Sequence, residues 1–312
     1  LPMDTLSRLI QLARFQANLE LRCQLGGQFA VLHDRTPKGQ APFHLALAGS
    51  CVIELPSGDT LSLQAGDFVF FPRGGAHRIV NSNRSGASGH AANAITVSTG
   101  GLLPLRRNGD SIDMDLLCGR LDYVHGRCLL LQGLPDALHV SLGDSQSVHT
   151  LQALVELMRQ ESEQAQPGAL AIVTALSQAL LTLALRAYGK THPEQANIVA
   201  LLSDPRLGAS VQAMLTEPGR AWSIASLGEQ ATMSRATYAR RFRATAGMAV
   251  ADFLTRLRMA IASELLLNTR RSSGDIGMEV GYQSEAAFGK AFRSKVGHTP
   301  GRYRRLNAGL AD

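Results

Sequence analysis

The chain has 312 residues, 45% of them hydrophobic and 18% charged, a length that is large for one domain and comfortable for two. Its net charge of +6 is unevenly spread: residues 205–312 hold 16 Lys/Arg against 8 Asp/Glu, whereas the preceding residues hold 15 against 17. That contrast points to a nucleic-acid partner for the C-terminal third, while no run approaches the ~18 uncharged apolar residues that suggest a membrane span.

The opening residues Leu1-Pro2-Met3-Asp4 lack the basic start and apolar run of a secretory leader. Cys23, Cys51, Cys118 and Cys128 are irregularly spaced and form neither a zinc CxxC pair nor a disulfide framework. The expectation is a cytoplasmic protein with free thiols.

From Phe43 to about Arg78, short apolar runs alternate with Gly and Pro: Phe43–Leu47, Cys51–Leu55, Thr60–Leu63 and Phe68–Phe71. Pro56-Ser57-Gly58-Asp59 reads as the turn between two of them, and strands this short and regular suggest a small β-barrel. Within them Gly66, Pro72, Gly74, His77 and Asn81 stand at spacings that resemble the second motif of the cupin family. The first motif is not intact: the His-x-His pair is missing, and His44 stands near the position of its Glu. The resemblance implies a barrel that takes a metal or a small ligand, with His77 as a ligand. Imidazole suits zinc, copper, iron or nickel, but a working site needs three or more ligands. His33, Cys23 or Cys51 can complete one only if folding brings them close. No cofactor is certain: a divalent metal at His44 and His77 is one reading, and a metal-free effector pocket lined by them is the other.

Val148–Gln164 and Ala169–Tyr188 carry Leu and Ala at helical spacing, divided by the turn signal Gln166-Pro167-Gly168. Gly189–Ala196 reads as a linker, and Asp204-Pro205 opens the C-terminal module. The organisation expected is a barrel domain at 1–145, a helical segment and linker at 146–204, and a basic C-terminal module at 205–312.

That last segment contains one pattern twice. Ser234, Tyr238, Phe242, Gly247 and Phe253 recur at identical spacing as Ser284, Phe288, Phe292, Gly297 and Tyr303. Each Ser suits a helix N-cap, the aromatics at i+4 and i+8 form a buried stripe, and each Gly suits a left-handed stop. Ser223 and Ser272 begin shorter helices before each unit, the second with Asp275 as a capping-box partner. Short helix, turn and longer helix is a helix-turn-helix.

The doubled unit, with Ile276-Gly277, Val280-Gly281-Tyr282, Lys290-Ala291-Phe292-Arg293, Thr299-Pro300 and Tyr303-Arg304, resembles the AraC/XylS family of transcription regulators. The resemblance implies an α+β multidomain fold: an N-terminal cupin-like β-barrel with a helical dimerisation pair, then an all-α module with two helix-turn-helix motifs. It implies homodimers that bind double-stranded promoter DNA and act with RNA polymerase. The recognition helices are expected from about Arg235 to Ala244 and Glu285 to Lys295, joined by a helix over Ala251–Leu267. By resemblance the base-edge positions are Arg235, Ala236, Ala239 and Arg240, then Glu285, Ala286, Gly289 and Lys290. Arg240 can donate twice to a guanine edge. Lys290 and Arg293 lie near phosphates, and Arg302, Arg304 and Arg305 are phosphate contacts or a solvated tail.

Met3-Asp4, Leu6-Ser7-Arg8-Leu9, Cys23, His44, Ala76-His77-Arg78 and Pro205-Arg206-Leu207-Gly208 are similar to the reactive-chlorine-responsive branch of that family, which implies Cys23 as an oxidant sensor. Cys118 lies in a matching region, but no cysteine stands near residue 90. Arg22 is a cation that can favour a reactive thiolate at Cys23. The competing reading is a buried apolar thiol, and the effector is then a small molecule in the barrel. Cys51 and Cys128 read as core. A cupin enzyme is the rival from another class, opposed by the missing His-x-His pair and by fusion to a DNA-binding module. A vestigial barrel without a ligand is a third reading.

Overall fold

A computed structural model describes residues 3–81, 96–99, 103–123, 128–141, 148–164, 166–192 and 194–307. The chain forms two compact units, and neither is continuous in sequence. One comprises Gln16–Tyr123 and Leu134–Ala187; the other comprises Leu1–Phe15, Val124–Gly133 and Tyr188–Asp312. Packing therefore groups the first fifteen residues with the C-terminal helices, whereas the sequence reading kept them with the barrel. The expected boundary at 145/146 lies outside the described residues.

The first unit is a curled sheet with two helices. Its strands are β1 (Gln16–Leu25), β2 (Ala30–His33), β3 (Gln40–Glu54), β4 (Thr60–Gln64), β5 (Asp67–Phe70), β6 (His77–Asn81), β7 (Thr96–Ser98), β8 (Leu105–Arg107), β9 (Met114–Asp122) and β10 (Leu138–Ser141). The order β10-β5-β3-β9-β1-β8-β7 is extended by β4 and β6, which pair with the far half of β3, and by β2 on β6.

The runs Phe43–Leu47 and Cys51–Leu55, read from sequence as two strands, are joined in the single strand β3. Gly49 lets the chain pass without stopping: its φ is +77°, and a Cβ there would stand 1.9 Å from the Asp113 carbonyl oxygen. A register shift between Ala46 and Ala48 marks a bulge opposite β9. Side chains alternate along a strand, so one extra residue exchanges the faces. Ala46 before the bulge and Cys51 and Ile53 after it all join the inner core, with Leu25, Val31, Leu116 and Cys118.

Two helices complete this unit, α2 (Val148–Gln164) and α3 (Ala169–Thr191), the latter running past the expected linker start at Gly189. Val173, Ser177, Leu180, Leu181, Ala184 and Leu185 bury one face of α3, while Leu170 and Ile172 remain exposed. By length and composition α3 is apolar enough to cross a membrane, with a mean hydropathy of 1.7, which the sequence reading did not expect; 39% of that window is buried.

The second unit is helical: α1 (Thr5–Ala13), a 3-10 turn at Leu129–Leu131, α4 (Ile198–Ser203), α5 (Pro205–Thr216), α6 (Ile224–Gln230), α7 (Arg235–Ala246), α8 (Val250–Asn268), α9 (Ser273–Glu279), α10 (Glu285–Val296) and α11 (Pro300–Leu306). The sequence repeat is also a repeat in space. Tyr238–Phe242 and Phe288–Phe292 ring centroids lie 5.7 and 5.5 Å apart. Phe242–Phe253 and Phe292–Tyr303 are edge-on at 5.4 and 5.5 Å, with interplanar angles of 72° and 73°. Ser234 and Ser284 cap α7 and α10 by accepting from Thr237 and Ala287, and Gly247 and Gly297 end them in the left-handed conformation. Ser223 and Ser226 form a full capping box on α6. In α9 the expected box is only half made: Ser272 accepts from the Asp275 N–H, and its hydroxyl donates to the Asp275 carboxylate.

Helix α1 is bolted to this unit. Arg8 makes a two-pronged ion pair with Glu264 of α8 at 2.9 and 2.6 Å. Thr5 donates to Gln212 of α5 at 2.5 Å, and Arg14 to Asn268 at 2.7 Å.

Candidate sensor cluster and nucleic-acid interface

Three histidines from three strands meet inside the curled sheet. His33 of β2 lies directly opposite His77 of β6, and His44 of β3 lies opposite Cys118 of β9. Their nearest ring nitrogens all fall within 4.8 Å of one another, the only such metal-capable group among the described residues. His77 is sandwiched: Phe71 stacks on it at 3.9 Å, and His33 stacks at 4.7 Å. Sequence placed His44 and His77 in one pocket and left His33 conditional; the pairing of β2 with β6 is what delivers it.

Burial holds all three rings neutral. The pKa of His33 falls to about 3, through burial and the neighbouring His77 and Arg106. His44 is pushed well below its ordinary value by burial and by the other two rings, and His77 is lowered mainly by burial.

Neutrality makes the hydrogen-bond directions readable. His77 Nδ1 lies 3.0 Å from the Gly75 carbonyl oxygen, which can only accept, so Nδ1 carries the hydrogen and Nε2 is bare. His44 Nε2, 2.7 Å from that bare nitrogen, is therefore the donor. His44 Nδ1 is then bare and accepts from the Cys118 thiol, 3.1 Å away. The Cys118 sulfur also hydrogen-bonds Cys23. A single directed chain thus joins two thiols to two imidazoles. The neighbouring Cys23 sulfur and burial both raise the Cys118 pKa.

The Arg22 guanidinium does not lie beside the Cys23 thiol, contrary to the sequence expectation. Successive side chains of a strand point to opposite faces. Cys23 faces the inner core. The Arg22 guanidinium instead pairs with buried Asp115 at 2.8 and 2.5 Å and with Glu163 of α2 at 3.0 Å. Cys51 and Cys128 are core, as expected. Burial, with Asp67 nearby, raises the Cys51 pKa to about 12, and burial raises that of Cys128 to about 12.

A cavity of about 410 Å³ opens beside the cluster, lined by Arg35, Pro56, Phe71, Arg73, Gly75 and Asp136 among others. None of the three histidines lines it. It reaches them only through Phe71, which stacks on His77, and Gly75, which anchors His77.

On the helical unit, Arg235, Ala236 and Arg240 of α7 and Glu285, Ala286, Lys290 and Arg293 of α10 are exposed, with Ala239 and Gly289 half-buried. The cations sort into two groups. Arg241 is held by Asp204, Arg256 and Lys295 share Asp252, and Arg271 pairs with Glu279. Arg304 donates to the Leu266 and Arg271 carbonyls and so latches α11 to the end of α8, which removes it from a solvated tail. Among the described residues no ion pair is found for Arg235, Arg240, Lys290 or Arg293. Gly277 lets α9 and α10 pack closely, since a Cβ there would stand 2.9 Å from the Phe288 ring.

A curled sheet with a cluster inside it and a paired helix-turn-helix unit with unpaired surface cations define a two-domain transcription regulator. Residues 4–189 match a family model described as Cupin, and residues 227–306 match one described as Helix-turn-helix domain. The chain belongs to the AraC-type family of helix-turn-helix transcription regulators that carry an N-terminal cupin domain. It is 32% identical to the RCS-specific HTH-type transcriptional activator RclR of Escherichia coli K12 over 97% of both chains. It is 32% identical to the HTH-type transcriptional regulator MtrA of Neisseria gonorrhoeae over 97% of this chain and 98% of that one. An uncharacterized HTH-type transcriptional regulator of Haemophilus influenzae is 33% identical over 97% and 99%. The chain is a DNA-binding regulator and not a cupin enzyme.

The depressed histidine pKa values carry a stability consequence. The folded state favours neutral rings, so the unfolded chain binds more protons below pH 6.5, and stability is full above that value and falls as pH falls toward 3. His33 alone contributes a loss of about 2 kcal/mol at pH 5. Urea unfolding of chelator-treated protein between pH 7.5 and 5 is expected to show this decline, and a shallower one in His33→Asn.

Proposed function

We propose that the chain is a homodimeric, cytoplasmic transcription activator that reads promoter DNA with α7 and α10 and is gated by oxidation of Cys23 with Cys118. The observation that carries the DNA half is the contrast between the unpaired cations on α7 and α10 and the ion-paired ones around them. The 19-residue helix α8 joins the two helix-turn-helix units, and a rigid connector suits recognition helices set ~34 Å apart, in successive major grooves. In this reading Arg235, Ala236, Ala239 and Arg240, then Glu285, Ala286, Gly289 and Lys290, face base edges, and Arg293 faces a phosphate. Arg240 donates twice to guanine, and the small residues of α10 leave Glu285 and Lys290 to do most of the reading there. The exposed apolar side chains Leu157, Leu170 and Ile172 on α2 and α3 support a dimer face. An activator of this kind works through contact with RNA polymerase.

For the gate, the step is two thiols and one hypochlorous acid giving a disulfide, water, chloride and a proton. One sulfur takes the chlorine, the second displaces it as chloride, and each thiol gives up its hydrogen. Cys23 faces Leu116 and Cys118 faces Leu21 across β1 and β9, so the two cysteines are diagonal neighbours on one face. Diagonal Cα atoms stand ~7–8 Å apart, beyond the ~4.4–6.8 Å that a relaxed disulfide spans. Bond formation must therefore draw β1 along β9. The chain enters β1 directly from α1, and α1 is bolted to α8, so movement of β1 has a covalent route to the connector of the DNA-reading helices. A small-molecule effector in the cavity beside Phe71 is the second reading, supported by its aromatic wall and the cations Arg35 and Arg73.

Arg240→Ala is expected to lose ~1–3 kcal/mol of binding to a specific site and much less on random DNA, measured by anisotropy at fixed salt; equal loss on both would make it a phosphate contact. Peptide mapping after stoichiometric hypochlorous acid is expected to recover Cys23 linked to Cys118. Recovery of Cys23 only as an unlinked oxide would refute the pairing.

A further inference from the structure

Of the three clustered histidines, His33 is the one whose chemistry is unfinished. Its Nε2 is buried with no hydrogen-bond partner among the described residues, an arrangement that costs free energy unless something else pairs with that nitrogen. His77 is already arranged as ligating histidines are, with one ring N–H held by a backbone carbonyl and the other nitrogen bare. His44 offers Nε2 to the same point. Two strands of one sheet half and the bulged strand of the other bring the three nitrogens within 4.8 Å.

We propose that His33, His44 and His77 form a three-histidine site for a first-row divalent transition metal of the zinc or copper type, with a fourth position open to water or a small ligand. The donor set is soft enough for these metals and contains no carboxylate that would favour calcium or magnesium. Tetrahedral metal–nitrogen bonds of ~2.0–2.1 Å place nitrogens ~3.3 Å apart, so the His44–His77 contact of 2.7 Å opens by about 0.6 Å. His33 must tilt from its stacked position and close by up to about 1.5 Å, since the three nitrogens lie within 4.8 Å of one another.

His44 ties this site to the thiols. Its Nε2 donates to His77 in the metal-free protein and must give up that hydrogen to ligate. The ring hydrogen then sits on Nδ1, which donates to the Cys118 sulfur, reversing that contact. Cys118 is thereby an outer partner of the metal and not a ligand. A Cys23–Cys118 disulfide also removes the S–H that holds His44 in its metal-free tautomer, so oxidation and metal binding favour each other, as linkage requires. The site itself stands independently of the thiol gate, and its test involves neither oxidant nor DNA.

The test titrates the full chain, stripped of metal and reduced, with Zn²⁺ against a chromophoric chelator, and separately with Co²⁺ for its visible absorption. The expected result is one equivalent of either metal, with tetrahedral cobalt bands that lack sulfur-to-cobalt charge transfer. His33→Asn and His77→Asn should each weaken zinc by roughly 100-fold, in variants whose metal-free form still melts cooperatively. Cys118→Ala, which removes an outer partner but no ligand, should still bind one equivalent and show the same tetrahedral cobalt bands. No stoichiometric binding by the wild type, unchanged affinity in folded His33→Asn, or a sulfur-to-cobalt band abolished by Cys118→Ala would each overturn the assignment.

Discussion

The imidazole of His44 is the joint on which the barrel interior depends. One of its nitrogens accepts from Cys118 at 3.1 Å and the other donates to His77 at 2.7 Å. The first contact reaches the thiols on β1 and β9, and the second reaches the histidines on β2 and β6. Neither contact survives if the ring turns to the other face of β3. The bulge between Ala46 and Ala48 and the left-handed Gly49 reconcile that orientation with inward Cys51 and Ile53. A polar chain inside an apolar core is tolerated only when each member is satisfied, and His33 is where that accounting leaves a nitrogen over.

The helical unit solves a different problem, which is presenting two short helices at a fixed separation. It does so by repetition. Two aromatic stripes pack with nearly the same ring distances and angles, two serines cap the reading helices, and two glycines stop them. The surface is sorted as well as the core. Acidic partners at Asp204, Asp252 and Glu279 neutralise structural cations, whereas Arg235, Arg240, Lys290 and Arg293 have no ion pair among the described residues, as the proposed DNA contacts require. The ion pair of Arg8 with Glu264 adds the first helix of the chain to this unit. The strand that bears Cys23 is therefore the immediate continuation of an element fixed to the connector helix.

Much of this was legible in the residues. The doubled serine–aromatic–glycine spacing located α7 and α10 to within two residues, because caps, stripes and stops are local signals. The turn at Pro56–Asp59 and the helices either side of Pro167 were legible for the same reason. What sequence could not supply was pairing between distant strands. The Arg22–Cys23 adjacency suggested an activated thiol, yet alternation sends the two side chains to opposite faces, and Asp115, distant in sequence, claims the guanidinium. Cys118 and His33 become site residues only through the registers of β9 with β1 and β3 and of β2 with β6. β3 itself was read as two strands because Gly49-Ser50 looks like a break, and only the close approach of Asp113 shows that it is a bend. The membership of α1 in the helical unit rests on its buried face of Leu9, Ile10, Leu12 and Ala13, with one long-range ion pair and two hydrogen bonds, and what that face meets has no local signature.

The central claim is that chemistry at the Cys23–Cys118 end of the buried chain changes what α7 and α10 do. Fluorescence anisotropy on DNA from upstream of the chain's own gene and its neighbours tests it directly. Reduced protein would be compared with protein treated with stoichiometric hypochlorous acid, with Cys23 intact or changed to Ser. The account predicts a shift in affinity on oxidation of the wild type and none in Cys23→Ser. Specific binding that is unaffected by the oxidant, or that shifts equally without Cys23, would contradict it.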